Sequence, residues 1–62
     1  MLNTEPNLSD PDAVFAALVA AHAGLDDDAS RRLDAQIVLL LANHVGDLEV
    51  IMAAIAAARR LV

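Results

Sequence analysis

Apolar residues along the chain fall into three blocks of helical character, separated by two short polar links. The central block contains six consecutive apolar residues, Ile37 to Ala42, and stops at Gly46. This run is too long for a helix with a single apolar stripe and too short to cross a bilayer, so it predicts a helix buried on most of its circumference. A chain of 62 residues has little of its own with which to cover such a helix.

Capping residues set the ends of three predicted helices, at about 11–23, 27–45 and 48–61. The first begins at Ser9-Asp10-Pro11-Asp12, which combines a capping side chain, a proline in the first turn and an acid that favours the positive helix end. Each of the first two helices is followed by a glycine where a left-handed C-terminal cap belongs. Residues 1–8 lack helical periodicity and are predicted to form an extended arm of the single small domain, 1–62.

The two links are short, which favours antiparallel neighbours. The predicted fold class is therefore all-α, with three short helices in an antiparallel bundle. The second and third helices carry apolar residues over more of their surface than two partners in one small bundle can cover. We therefore expect a second copy of the chain or another protein to complete the bundle. The expected contact residues are Val38, Leu39, Val45, Val50, Ala54 and Leu61.

Composition narrows the function classes. Four arginines, no lysine and nine acidic residues give a net charge of −5, which argues against binding to nucleic acid or to an anionic membrane surface. No apolar run approaches the roughly 20 residues that a bilayer needs, so the expected location is the cytoplasm. Cysteine is absent, which excludes disulfides and thiolate metal sites. No cofactor is predicted.

The two histidines are the residues with an ordinary pKa near neutrality. Both lie on apolar helix faces, and in an up-and-down arrangement they are on the order of 20 Å apart, too far to share a metal within one chain. The favoured interpretation is a histidine at a helix end that bonds to a carbonyl or a carboxylate. Asn43 is expected to cap the second helix by bonding to its last carbonyls. Asn43 and His44 are nevertheless possible functional polar residues, because an amide or imidazole at this position can also reach across an interface.

Two other polar features have structural explanations. The acidic run Asp26-Asp27-Asp28 does not continue as a calcium-binding loop, which would need glycine and glutamate where this chain has Arg31 and Ile37, so it is interpreted as a helix cap. Arg59 falls in the middle of an apolar helix face. It either pairs with Asp34 of the second helix or extends past the end of the bundle into water.

Two sequence blocks, MLNTEPNLSDPDA at residues 1–13 and VLLLANHVGD at residues 38–47, resemble the signature blocks of a family of short proteobacterial proteins that is catalogued only as a domain of unknown function. The resemblance would cover nearly the whole chain. It implies no activity, and it suggests an accessory role beside catabolic enzymes such as flavin-dependent aromatic hydroxylases.

The leading hypothesis is a small helical accessory protein that self-associates or docks on a larger enzyme and is not itself an enzyme. No phosphate-binding loop or activated nucleophile is present in the sequence. An alternative is a non-catalytic subunit that lends residues such as Asn43 or His44 to the active site of a partner catabolic enzyme. A third hypothesis makes the arm, residues 1–8, a docking peptide that becomes ordered on binding.

Overall fold

The computed structural model describes all 62 residues and contains three helices and no strand. Helix α1 spans Pro11–Ala21, α2 spans Asp27–Val45 and α3 spans Leu48–Leu61. The all-helical fold with three helices is as the sequence predicts, and the ends of α2 and α3 agree with the predicted ones. Helix α1 ends two residues earlier than predicted, and the first ten residues have no regular secondary structure.

An aspartate caps the start of every helix. The side chains of Asp10, Asp26 and Asp47 each accept a hydrogen bond from a backbone N–H two or three residues further along, over 2.8–3.3 Å. These bonds satisfy N–H groups that the first helical turn leaves without a partner. Helices therefore begin where the sequence places these residues, independently of any tertiary packing.

The early end of α1 has a local cause. The N–H groups of His22 and Ala23 donate to the carbonyls of Val19 and Ala20, each at 3.2 Å and three residues back. The last turn is thus tightened from the α-helical to the 3₁₀ pattern, which often occurs at helix ends. The sequence does not distinguish the two patterns over such a short stretch.

Gly46 forms the corner between α2 and α3. Its φ of 74° lies in the left-handed region, and its N–H donates to the carbonyl of Ala42 at 2.8 Å. Glycine adopts this conformation without the penalty that a side chain brings. The result is a link of only two residues, Gly46 and Asp47, between the two longest helices.

The three helices do not close around a core. No residue is buried, and the most protected ones are only half-buried. The radius of gyration is 13.0 Å, compared with about 10.6 Å for a compact domain of this length. The accessible surface is 5589 Å², whereas a compact monomer of 6.5 kDa exposes about 3,800 Å². A packed bundle is therefore not formed within one chain, and the antiparallel bundle predicted from the sequence is not confirmed.

Candidate functional site

One polar side chain at the C-terminal end of α1, that of His22, contacts one on α2, that of Asp34. The His22 ring lies 2.6 Å from the Leu18 carbonyl oxygen through Nδ1 and 2.6 Å from Asp34 Oδ1 through Nε2. Both neighbours are acceptors, so both ring nitrogens donate and the geometry suits the charged imidazolium. For His22 this agrees with the prediction of a helix-end histidine bonded to a carbonyl or a carboxylate; for His44 that prediction is wrong, because its ring makes neither bond.

The surroundings of His22 raise its pKa above the ordinary 6.5. The hydrogen bond to the Leu18 carbonyl makes the largest contribution, followed by the hydrogen bond to Asp34, while desolvation acts in the opposite direction. An open depression of about 450 Å³ lies here and is lined by Leu18, Val19, His22 and Asp34. Because the two bonds occupy both ring nitrogens, neither nitrogen is free to bind a metal or to transfer a proton. This cluster therefore stabilises the α1–α2 corner.

Arg59 does not pair with Asp34, one of the two arrangements predicted from the sequence. Asp34 bonds to His22 instead, and Arg59 makes no ion pair within the chain. Periodicity places Arg59 on the apolar face of α3, but it does not fix which way Asp34 turns or how the helices are arranged in space. The structure brings together no group of three or more His, Cys, Asp or Glu side chains of the kind that holds a metal ion.

Asn43 and His44 lie in the last turn of α2, and both are exposed. Neither side chain makes a hydrogen bond within the chain. Their polar atoms are therefore available to water or to another molecule, and the capping role expected for an amide at this position is not seen for Asn43.

An apolar groove of about 420 Å³ runs between α2 and α3. All ten residues that line it are hydrophobic, and they include four of the six expected contact residues, namely Val38, Val45, Val50 and Ala54. Leu2 of the arm also lines the groove. The arm was expected to be extended, and this contact was missed; an isolated leucine in an otherwise polar segment is the signal that could have indicated it.

The other two expected contact residues, Leu39 and Leu61, lie outside the groove and are exposed. They are consequently not part of the groove that the other four line. The six residues predicted together thus divide into a groove set and two separate exposed leucines.

Exposed apolar residues outside the six expected contact residues form a stripe along α3. Leu48, Met52 and Ile55 are 68%, 58% and 63% exposed, and Val62 is fully exposed at the end of the chain. On α2, Leu40 is also 70% exposed although the sequence places it on the main apolar face. The spacing of the α3 residues, four and three, places them on one side of α3, as the hydrophobic pattern of the sequence predicts.

Comparison with known proteins finds a match at the level of a protein family. The model of a protein family described as "Protein of unknown function (DUF2783)" matches residues 2–60. No curated protein matches the chain. No solved structure matches it either. In the structure itself, no helix has the combination of length and apolar character that a membrane span requires.

Proposed function

The chain belongs to the DUF2783 family, a family of unknown function, and we propose that it is a small non-catalytic interaction protein whose fold is completed by a second copy of itself. The helices then supply a surface for assembly and need no reactive group of their own. Location in the cytoplasm remains a prediction from the sequence.

The surface area of the single chain carries this proposal. One chain exposes 5589 Å², about 1,800 Å² more than a compact protein of the same mass. If two copies each covered that excess, they would bury about 3,500 Å² in total, which is the size of an obligate dimer interface. Folding costs roughly 1.5 kcal/mol of conformational entropy per residue, so a chain with no buried side chain needs this additional burial to remain folded.

A second copy is favoured over a larger enzyme for two reasons. Its uncovered surface area equals that of the first chain, and the charges at the two ends of its α3 helix complement those of the first chain. A copy brings an equal uncovered area, so one contact covers both surfaces at once. Helix α3 has its acid, Glu49, in the first turn and its bases, Arg59 and Arg60, in the last. This distribution is self-complementary when two such helices run in opposite directions.

Sedimentation equilibrium of the purified chain, from about 1 μM to 1 mM, tests the proposal. We expect a mass of 13 kDa, twice the 6.5 kDa of one chain, together with a helical circular dichroism spectrum. A folded monomer over the whole range would refute it. A chain that is unfolded alone and becomes helical only with a different protein would also refute self-association and would favour docking on a larger enzyme.

One observation favours the alternative of a subunit that lends residues to a partner enzyme. His44 and Asn43 are exposed polar residues without partners, beside exposed Leu40 and Leu41 on the same helix. This function predicts that His44→Ala leaves a complex with the enzyme intact and abolishes its activity. Asn43→Ala is the matched comparison in the same turn. Loss of binding without any separate effect on activity would exclude it.

A further inference from the structure

Helix α3 carries an exposed stripe with the spacing of a coiled-coil seam. Leu48, Met52, Ile55, Arg59 and Val62 follow one another at intervals of four, three, four and three residues. Residues with this spacing lie along one side of a helix and form the contact line of paired helices. The three apolar residues inside the helix are more than half exposed, although Ile55 also lines one side of the α2–α3 groove.

Arg59 is an unusual member of this stripe, because a charge lies among apolar residues and has no ion-pair partner. Glu49, at the other end of α3, has none either. The two residues are ten positions apart, about 15 Å along the helix, which is too far for a pair within one chain. Arg60 and Arg32 are also unpaired, but a partner helix that presents α3 in the reverse order would bring a partner to both Glu49 and Arg59.

We infer that two copies of the chain pair through α3 in antiparallel orientation, about a two-fold axis that passes between Ala53 and Ala54. This inference rests on the proposed self-association and adds its contact surface and geometry. Met52 of each copy faces Ile55 of the other. Leu48 faces the aliphatic part of Arg59 in the other copy, and the guanidinium lies next to Glu49 there.

The axial register supports both contacts at once. With the axis between residues 53 and 54, position 59 of one copy is level with position 48 of the other, about 1.5 Å along the axis from Glu49. Helices that pack at 8–10 Å allow an arginine to span this separation. A parallel pair would instead place Arg59 against Arg59 and Glu49 near Glu49, and repulsion disfavours that arrangement.

Cysteine cross-linking tests the orientation, because the natural chain has no cysteine and each variant then carries one thiol. Leu48→Cys and Arg59→Cys chains are mixed, allowed to exchange and oxidised with glutathione disulfide. The antiparallel pair places positions 48 and 59 opposite each other, so the main product should join one chain of each variant. Two copies of position 48 are about 16 Å apart in this pair, beyond the reach of a disulfide. Cross-linking of Leu48→Cys chains with each other would overturn the inference.

A charge exchange tests the register without any cysteine. Glu49→Arg and Arg59→Glu, made singly, should each weaken the dimer about tenfold, because each places like charges together at both ends of the seam. The double variant should recover most of the affinity. Each substitution also opposes the dipole of α3. If the variants acted only by destabilising this helix, the two effects would add and the double variant would form the weakest dimer of the three. Arg32→Glu, on α2, makes the same change in net charge as Arg59→Glu but away from the seam, and it should leave the dimer unaffected.

The outcomes separate this inference from the proposed function. A dimer that gives the mixed cross-link and the recovery in the double variant supports both. A dimer that gives neither, with every variant helical by circular dichroism, refutes the α3 seam and leaves self-association intact through another surface. A wild-type chain that remains monomeric at 1 mM refutes self-association and the seam together.

Discussion

Dilution should unfold this protein, and the size of the effect follows from the structure. Since no residue is buried in one chain, unfolding and dissociation are expected to occur together as one dimer giving two unfolded chains. Unfolding converts one dimer into two chains, so the number of particles rises by one. Each tenfold dilution then lowers the free energy of unfolding of the dimer by about 1.5 kcal/mol near 60 °C.

The expected shift in melting temperature comes from dividing that free energy by the entropy of unfolding. Two chains of 62 residues contain 124 residues, and about 2.1 cal/mol/K per residue gives about 0.26 kcal/mol/K. The melting temperature should therefore fall by about 6 °C for every tenfold dilution. Ellipticity at 222 nm, followed on heating from about 1 μM to 1 mM chain, measures this directly. A melting temperature that stays constant over the range would show that one chain is stable alone and would refute the reasoning.

The remaining predictions concern the helix ends and the histidine. Gly46→Ala should lower the free energy of unfolding by about 1 kcal/mol per chain in guanidinium titrations, because the φ of Gly46 is 74° and a side chain is strained there. Steric crowding is not the cause, since the nearest atom to an added Cβ is the Asn43 carbonyl oxygen at 3.9 Å. Asp47→Ala should cost about 1 kcal/mol per chain by the same measurement, because two N–H groups of α3 lose their acceptor. The raised pKa of His22 means that its contacts stabilise the fold fully below the unfolded value of about 6.5 and lose that effect as the pH rises through the folded value. Asp34→Asn should lower the pKa of His22 in an NMR titration and weaken this pH dependence, and an unchanged pKa would show that the Asp34 bond does not contribute.

The helix ends could be predicted from the sequence because each is decided locally. Asp26 and Asp47 need only the next few backbone N–H groups, and Gly46 needs only its own dihedral angle. The bounds of α2 and α3 therefore agree with the prediction. The end of α1 differs because its last turn changes hydrogen-bond pattern, and that change carries no signature in residue type.

The surface could be predicted only in part. Counting apolar positions correctly indicated more apolar surface than the chain can bury, and it selected Val38, Val45, Val50 and Ala54, which the structure brings to one groove. It did not give the partner of Asp34, because that depends on the angle between α1 and α2. Contacts between helices depend on distances in space, and periodicity supplies only directions around each helix axis.

The absence of any buried residue has a consequence for how long a chain survives in a cell. A separated chain offers proteases its whole backbone, whereas an assembled one is protected in proportion to what its partner covers. If the chain pairs as proposed, pairing depends on the square of concentration, and newly made chains at low abundance are then expected to be degraded faster than chains in an established population. A small change in synthesis rate is then amplified into a larger change in the amount of assembled protein.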